Sequence, residues 1–333
     1  MEHVNISVII PVFNGARTIR ACLDSLMTQE LHPSEIIVVD NGSTDETRNI
    51  VAEYATVNLI HELDPGASRA RNAGVMTARG PFVAFIDADC IADPRWIKRA
   101  WAIFSNDEEV DGIVGGASGF NKNFWGILFQ RHYDRFVKEL ERTSKRLQKI
   151  DTKNFFIKKS VFWEIGGFDN QVLNSEDVDL GIRLHRVGHR IILDLGVLVY
   201  HQNPTSLSLM VEVRREQGLF DYFIFRKMPV HEGLKYFPAF GRLYGRYLFL
   251  RSLPPRRCLL SILIFGCDIG LQINTLALFS LRFTGWSWAL QKLFNLLMTF
   301  AIFQGKLYGR MIETGYLSLD QMGADGKLSR RVL

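Results

Sequence analysis

Two aspartates one residue apart, Asp87 and Asp89, are the strongest chemical feature of this 333-residue sequence. They directly follow the apolar run Phe82–Ile86, whose pattern predicts a buried strand. Ligands of an open α/β sheet bind beyond the carboxyl ends of its strands. Paired carboxylates at that position suit a divalent metal, Mn²⁺ or Mg²⁺, which prefers oxygen ligands and often bridges to substrate phosphates. The alternative is that Asp87 ends a turn and Asp89 is only solvated.

Polar residues also follow two other predicted strands. Pro11, Phe13 and Asn14 end the first strand, and Asp40 ends the second, with Ser43 in the turn that follows. The strand ends meet at the same edge of the sheet as the aspartate pair, where such groups are able to read a nucleobase through hydrogen bonds.

Two arginines in the segment 68–74, Arg69 and Arg71, are predicted to lie near that edge. Residues two apart on a helix point in different directions. We therefore expect one of the two arginines to be a solvated surface residue.

An acidic segment, Glu176 with Asp177, opens a predicted helix. The helix dipole alone favours acids there, which is the structural alternative. The apolar residues that follow predict a well-buried helix, so one carboxylate is expected to face the crevice and to act as a general base toward a hydroxyl group. His201 follows the apolar run Val197–Tyr200, and it is either a metal ligand or a surface histidine.

Strand and helix patterns alternate through the first 200 residues, which predicts an α/β fold with a parallel, doubly wound sheet. Predicted strands cover Ile6–Phe13, Glu35–Asp40, Asn58–Leu63, Phe82–Ile86, Val110–Gly115, Asn154–Ile157, Arg190–Leu193 and Val197–Tyr200. Predicted helices cover Arg17–Gln29, the segment to Tyr54 with Ser43 and Glu46 as a capping box, Ala67–Ala78, a segment that starts with Asp93 as N-cap and Pro94 at the first helical position, and Glu176–Val187 stopped by Gly188.

Composition excludes several classes of protein. With 47% hydrophobic residues the chain is able to bury a core, and its net charge of +5 does not require a nucleic-acid partner. The four cysteines contain no CxxC pair, which argues against a structural zinc site or a disulfide scaffold and indicates a reducing compartment. The N-terminus has no signal-peptide pattern, so we expect a cytoplasmic protein.

The composition changes after about residue 226, so we predict one domain at 1–228 and a helical, apolar, membrane-associated region at 229–333. That region holds two apolar runs, Leu259–Phe279 and Trp286–Phe303. Basic residues flank the pair, which favours a hairpin with both ends cytoplasmic. Asp268 is costly inside a bilayer and favours an amphipathic pair in the interface. Packing against soluble protein is the third alternative.

Five segments in order resemble the family 2 inverting glycosyltransferases with the GT-A fold, across roughly residues 5–205. They are Ser7–Asn14, Val38–Asp45, Ser68–Gly74, Phe85–Asp89 and Gly166–Arg183. The resemblance implies a GT-A fold with a mainly parallel, Rossmann-like sheet flanked by helices. It also implies transfer of a sugar from a nucleoside-diphosphate sugar, usually a UDP-sugar, to an acceptor hydroxyl with inversion.

The resemblance also assigns roles to individual residues. The donor nucleotide is expected to contact Pro11, Phe13, Asn14, Asp40, Ser43, Arg71 and Asp87. The metal is expected on Asp89 and His201, the sugar or acceptor on Asn154 and Phe155, and the catalytic pair is Glu176 and Asp177, with Asp177 as the base. No Gln-x-x-Arg-Trp signature follows, which favours addition of a single sugar over processive synthesis.

Three other functions would require different sequence features. A nucleotide-dependent oxidoreductase needs a GxGxxG turn, and the first turn here has one glycine. A nucleotidyltransferase would usually carry a glycine-rich basic loop after the first strand, and a non-catalytic scaffold on the same fold would not need the acidic residues. The apolar C-terminal region favours a glycan or lipid-linked acceptor in cell-surface polysaccharide assembly, at the cytoplasmic face of the cell membrane.

Overall fold

A computed structural model of the protein describes residues 3–120, 123–143, 150–229, 231–232, 236 and 287–313. The chain forms two compact units, one of Met1–Lys122 with Phe136–Asn203 and one of Asn123–Arg135 with Pro204–Leu333. The domain boundary at residue 228 stays a prediction. The apolar run Leu259–Phe279 and Asp268 lie outside the described residues.

The first unit contains one eight-stranded sheet in the order β3-β2-β1-β4-β7-β6-β8-β5. Its strands are β1 (His3–Val12), β2 (His32–Asp40), β3 (Val57–His61), β4 (Phe82–Ile86), β5 (Cys90–Ala92), β6 (Gly112–Gly119), β7 (Asn154–Lys158) and β8 (Ile191–His201). The helices of the chain are α1 (Ile19–Met27), α2 (Thr47–Ala52), α3 (Ala67–Thr77), α4 (Trp96–Asn106), α5 (Phe124–Thr143), α6 (Lys159–Glu164), α7 (Glu176–Val187), α8 (Leu207–Arg226) and α9 (Ser287–Glu313).

The sheet is mixed, whereas the sequence predicted a parallel one. Strands β3, β2, β1 and β4 are parallel, but β7 runs antiparallel to both β4 and β6, and β5 runs antiparallel to β8. The prediction failed because a short apolar run does not encode strand direction. The reversal matters for the site, since β7 begins at the edge where β1, β2 and β4 end.

Alternating side chains of the central strands fill two cores, one on each face of the sheet. On one face, Ile10 and Ile86 pack with residues of α1 and α4. On the other face, Ile9 and Phe85 pack with residues of α3, α6 and α7. Burial on both faces explains why these strands are nearly continuous apolar runs.

Several helix and strand boundaries differ from prediction. Ser43 does not cap α2, which begins at Thr47, because the Ser43 hydroxyl accepts a bond from the Asn14 N–H instead. Asp93 does not cap α4, which begins at Trp96 after a turn. The two strands predicted at 190–200 are a single strand, β8, with an irregular register against β6, and β5 was not predicted.

The second unit contains α8 and α9, together with the start of α5. A cluster of buried side chains from these helices includes Leu128, Met210, Phe294 and Leu297. Gly218 on α8 and Gly305 on α9 each have the backbone of the other helix within 2 Å of where a Cβ would lie, so the two helices cross in close contact. Among the residues the structure describes, no helix combines the length and apolar character needed to cross a membrane.

Candidate active site

Arg71 joins the segment predicted to bind the donor nucleotide and metal to the segment predicted to be catalytic. Arg71 is 4% exposed, and its guanidinium donates to Asp87 Oδ1 at 2.9 Å and to Glu176 Oε1 at 2.6 Å. Burial would lower the pKa of Arg71, but the charges of Asp87 and Glu176 outweigh it and raise the pKa. The arginine therefore stays charged and ties the end of β4 to the start of α7.

Arg69, by contrast, is half-buried and pairs with the exposed Asp64 at 2.9 Å. Its different environment follows from its position two residues from Arg71 on α3.

Asp89 and His201 lie side by side, with 3.4 Å between Asp89 Oδ2 and His201 Nε2. Burial would lower the pKa of His201, but the hydrogen bond and charge of Asp89 raise it. Burial would likewise raise the pKa of Asp89, and the partnership with His201 lowers it. The other ring nitrogen, His201 Nδ1, lies 3.3 Å from Asn203 Oδ1.

This pair fits a divalent cation. When Nδ1–H donates to Asn203, the Nε2 lone pair faces Asp89, as in metal sites where a second partner fixes the histidine tautomer. The Asp89 side chain is 41% exposed, which leaves room for ligands from a substrate or water. Asp89 and His201 would hold the ion, and the ion would supply positive charge to neutralise a diphosphate.

Asp177, in the first turn of α7, has a strongly perturbed carboxyl group. Withdrawal from water raises its pKa to about 8, assisted by the nearby carboxylates of Glu176 and Asp151, while the Val178 N–H and Lys153 act in the opposite direction. The Val178 N–H donates to Asp177 Oδ1 at 2.8 Å. A base is most effective when its pKa lies near the working pH, so this carboxyl group is suited to general-base chemistry.

The helix that carries Asp177 begins at an unusual backbone conformation. Ser175, the residue before α7, has φ of +61°, a left-handed value that is uncommon for a residue with a side chain. Ser175 is buried, and its carbonyl accepts from the Val178 and Asp179 N–H groups. The turn therefore fixes where the acidic end of α7 begins.

The predicted nucleoside residues lie where β1 and β2 end. The Asn14 N–H donates to Ser43 Oγ at 2.9 Å, and the Ser43 N–H donates to Asp40 Oδ1 at 3.1 Å. Asp40 and Ser43 are buried, Pro11 is half-buried in β1, and the Phe13 ring is 57% exposed. The two loops are thus tied together, with one exposed aromatic ring beside them.

Asn154 and Phe155, the predicted sugar and acceptor residues, are buried inside the sheet. Asn154 Oδ1 accepts from Trp96 Nε1 at 2.8 Å, and its amide nitrogen donates to the carbonyls of Gly116 and Val197 at 2.7 Å. Phe155 is fully buried and stacks on Phe85. Both side chains therefore make buried contacts inside the first unit, and their predicted contact with the sugar or acceptor stays a prediction.

Replacing Asn154 by alanine should therefore destabilise the protein. Three buried polar groups would lose their partner, and each unsatisfied group costs about 1–3 kcal/mol. Chemical denaturation should show a lower free energy of unfolding than in Asn170→Ala, which changes an exposed asparagine. Unchanged stability with a raised KM for the sugar donor would instead support the predicted substrate contact of Asn154.

Three residues at this edge were not singled out from the sequence. Asp151 and Lys153 form a short ion pair just before β7, and Lys153 is one residue before Asn154, which pairs with Ile86 at the end of β4. Cys90 is buried in β5 directly opposite His201. No local sequence pattern marks these three residues. They reach this edge of the sheet only because β7 is antiparallel to β4 and because β5 pairs with β8.

Comparison with known proteins agrees with this architecture. A family model described as glycosyl transferase family 2 matches residues 7–166. Glycosyltransferase AglE of Haloferax volcanii is 31% identical over 204 residues, 59% of this chain and 66% of that protein. The glycosyltransferase EpsJ of Bacillus subtilis, described as uncharacterized, is 27% identical over 219 residues, 61% of this chain and 62% of that protein. The matched part spans slightly less than two thirds of each relative.

Among solved structures, the mannosyltransferase PcManGT from Pyrobaculum calidifontis, in complex with GDP-Man and Mn²⁺, is similar with a TM-score of 0.57 and 18% identity. The similarity covers 94% of this chain and 87% of that one, and at this identity it concerns the fold. Residues 7–166 therefore match the family 2 glycosyltransferase model, and the fold is of the GT-A type.

Proposed function

We propose that this protein transfers a single sugar from a nucleoside-diphosphate sugar to an acceptor hydroxyl, with inversion and with a divalent metal. The observation that carries the proposal is the Arg71 bridge, which holds the Asp87 carboxylate and the acidic start of α7 at one edge of the sheet. The match of residues 7–166 to the family model supports the reaction class.

Each group of residues in the site has a separate role in the proposed reaction. Asp177 accepts the proton of the acceptor hydroxyl. The hydroxyl oxygen bonds to the anomeric carbon of the sugar, and the nucleoside diphosphate leaves. Arg71 holds the side chains of Asp87 and Glu176 in place through its two hydrogen bonds. Asp89 and His201 would hold Mn²⁺ or Mg²⁺, which neutralises the diphosphate leaving group when bound.

The donor is proposed to be a UDP-sugar, with its nucleoside at the loops that hold Asn14, Asp40 and Ser43. The polar groups there support a nucleobase contact, and Phe13 offers an exposed ring beside them. PcManGT was solved with GDP-Man, so a guanine donor is the natural competitor. Nucleoside-diphosphate release from a panel of UDP-, GDP- and TDP-sugars tests the choice. Turnover with GDP-sugars alone would reject uridine.

Removal of the Asp89 carboxylate should weaken metal binding while the protein still folds. Because Asp89 supplies the exposed carboxylate of the metal pair, Asp89→Ala should bind Mn²⁺ at least about tenfold more weakly, the range seen when metal-site partners are removed. Calorimetric titration of the purified protein with Mn²⁺ measures this. Unchanged Mn²⁺ affinity in the folded variant would reject Asp89 as a ligand.

The acceptor is proposed to be a glycan or lipid-linked molecule at the cytoplasmic face of the cell membrane. This proposal rests on the apolar runs of the C-terminal sequence. Co-sedimentation with anionic lipid vesicles tests it, using the full chain and a variant in which Leu259–Phe279 carries several polar substitutions. Equal binding of both proteins to the vesicles would contradict the role of that run.

The competing proposal is a non-catalytic scaffold on the same fold. The same panel of sugar donors distinguishes the scaffold from the enzyme. A scaffold would bind a nucleotide sugar and release no nucleoside diphosphate with any donor and acceptor.

A further inference from the structure

The metal pair has a third neighbour that carries a different chemistry. Ligand atoms of Asp89, Cys90 and His201 all lie within 4.8 Å of one another. One is a carboxylate oxygen, one a thiol sulfur and one an imidazole nitrogen. We propose that these three residues form a Zn²⁺ site, in which the Cys90 thiolate is a ligand that Mn²⁺ or Mg²⁺ does not use.

The backbone builds this arrangement. Strands β5 and β8 are antiparallel, and Cys90 lies directly opposite His201 in their register. Directly opposed residues of an antiparallel pair have side chains on the same face, with Cβ atoms about 4.5–5.5 Å apart. Asp89 immediately precedes β5, and its carbonyl accepts from the Gln202 N–H, next to His201. The three ligand atoms are therefore held by paired strands.

The distances suit a tetrahedral ion. Zinc bonds of about 2.0–2.3 Å place nitrogen and oxygen ligands about 3.4 Å apart, and sulfur and oxygen ligands about 3.6 Å apart. His201 Nε2 lies 3.4 Å from Asp89 Oδ2, and Cys90 Sγ lies 3.8 Å from the other oxygen of that carboxylate, Oδ1. The ion would bind one of these two oxygens, and one ligand atom from each of the three residues lies within 4.8 Å of the others. Adjacent ligands of an octahedral Mg²⁺ are closer, at about 2.9 Å.

The ligand types point to the same ion. Carboxylate and water suit Mg²⁺ and Mn²⁺, whereas thiolate and imidazole select Zn²⁺ and other softer cations. A zinc ion would displace the thiol proton of Cys90 to solvent and bind three protein atoms, leaving one open position. The inference rests on the proposed metal site, and it adds a consequence, that Zn²⁺ competes with the activating cation for that site.

Cobalt spectroscopy tests the proposal without any sugar donor. Co²⁺ serves as an optical substitute for Zn²⁺, and a sulfur-to-cobalt charge-transfer band appears only when a thiolate is bound. The full chain, stripped with EDTA and titrated with Co²⁺, should develop this band, and Zn²⁺ should abolish it. Cys90→Ser should lose the band. Cys22→Ser should keep it, because that second buried thiol contacts the Asp87 carbonyl instead.

Binding of Co²⁺ without a thiolate band, or a band that persists in Cys90→Ser, would overturn the proposal. If Cys90→Ser does not fold, a variant that keeps Cys90 as its sole cysteine replaces it. X-ray absorption of that variant loaded with Zn²⁺ should then show a sulfur ligand at about 2.3 Å, and absence of sulfur would reject the site.

Competition provides the second measurement. Zn²⁺ should displace Mn²⁺ from the wild-type protein, as read from the electron paramagnetic resonance signal of released Mn²⁺. Displacement should require at least about tenfold more Zn²⁺ in Cys90→Ser, since loss of even an outer partner weakens metal affinity by that much. Equal displacement in both proteins would contradict a thiolate ligand. None of these outcomes bears on sugar transfer, so the two proposals fail separately.

Discussion

Asp177→Asn is expected to lower kcat by about 10²- to 10⁴-fold, the usual contribution of a general base. The substitution keeps the shape of the side chain and an oxygen that accepts from the Val178 N–H. The affinity for the donor nucleotide should change little. Single-turnover kinetics at saturating donor and acceptor measures the chemical step directly.

The same substitution should make the protein more stable. The pKa of the Asp177 carboxyl is raised from 3.8 to about 8 by burial and by Glu176 and Asp151. Between those pH values the folded protein holds a proton that the unfolded chain has released, so the free energy of unfolding falls as pH rises. Asparagine does not ionise. The Tm of Asp177→Asn should therefore exceed that of the wild type at pH 8, and the two should converge toward pH 4.

Asp179→Asn is the matched control on the same helix. Asp179 is buried and pairs with Arg183 at 2.7 Å, and no catalytic role is assigned to it. It should lose about 1–3 kcal/mol of stability, the cost of weakening charged hydrogen bonds, while kcat changes little. If Asp177→Asn retained normal transfer, or if both variants behaved alike, Asp177 would not be the base.

Arg71→Met is expected to lower the free energy of unfolding by about 3–5 kcal/mol, the cost of removing one partner from a buried ion pair. The loss leaves the carboxylates of Asp87 and Glu176 without their shared cation. Transfer should also fall, because the end of β4 and the start of α7 would no longer be tied. Urea denaturation gives the stability, and initial rates give the activity.

Arg69→Met provides the control for this second prediction. Arg69 pairs with Asp64 at the surface, where an ion pair contributes about 0–1 kcal/mol. The double variant Arg71→Met with Glu176→Gln should be less destabilised than the sum of the single variants, because it removes one uncompensated charge. Equal losses in Arg69→Met and Arg71→Met, or simple additivity in the double variant, would contradict the bridge.

Much of this architecture could be predicted because buried strands and amphipathic helices have distinct sequence periods. The strand Phe82–Ile86 and the helix Glu176–Val187 have the bounds that the sequence predicted. Acidic residues that follow such strands reach the ligand-binding edge in any open α/β sheet. The location of Asp87 and Asp89 could therefore be predicted from the sequence.

What the sequence did not reveal depends on long-range pairing. The direction of β7 brings Lys153 to the edge of the sheet, and the register between β5 and β8 places Cys90 opposite His201. Neither is encoded in a local pattern. The substrate contact predicted for Asn154 rests on its position along the chain, and that position did not reveal its hydrogen bonds to Trp96, Gly116 and Val197.

The reaction proposed for this protein is metal-dependent sugar transfer with inversion. The most direct measurement is proton NMR of the product formed by the full chain from the donor that it turns over, with Mn²⁺, with EDTA, and with Mn²⁺ restored. The proposed function predicts a product whose anomeric configuration is opposite to that of the donor, formed only when Mn²⁺ is present. A product with the donor's configuration, or equal transfer in EDTA, would contradict it.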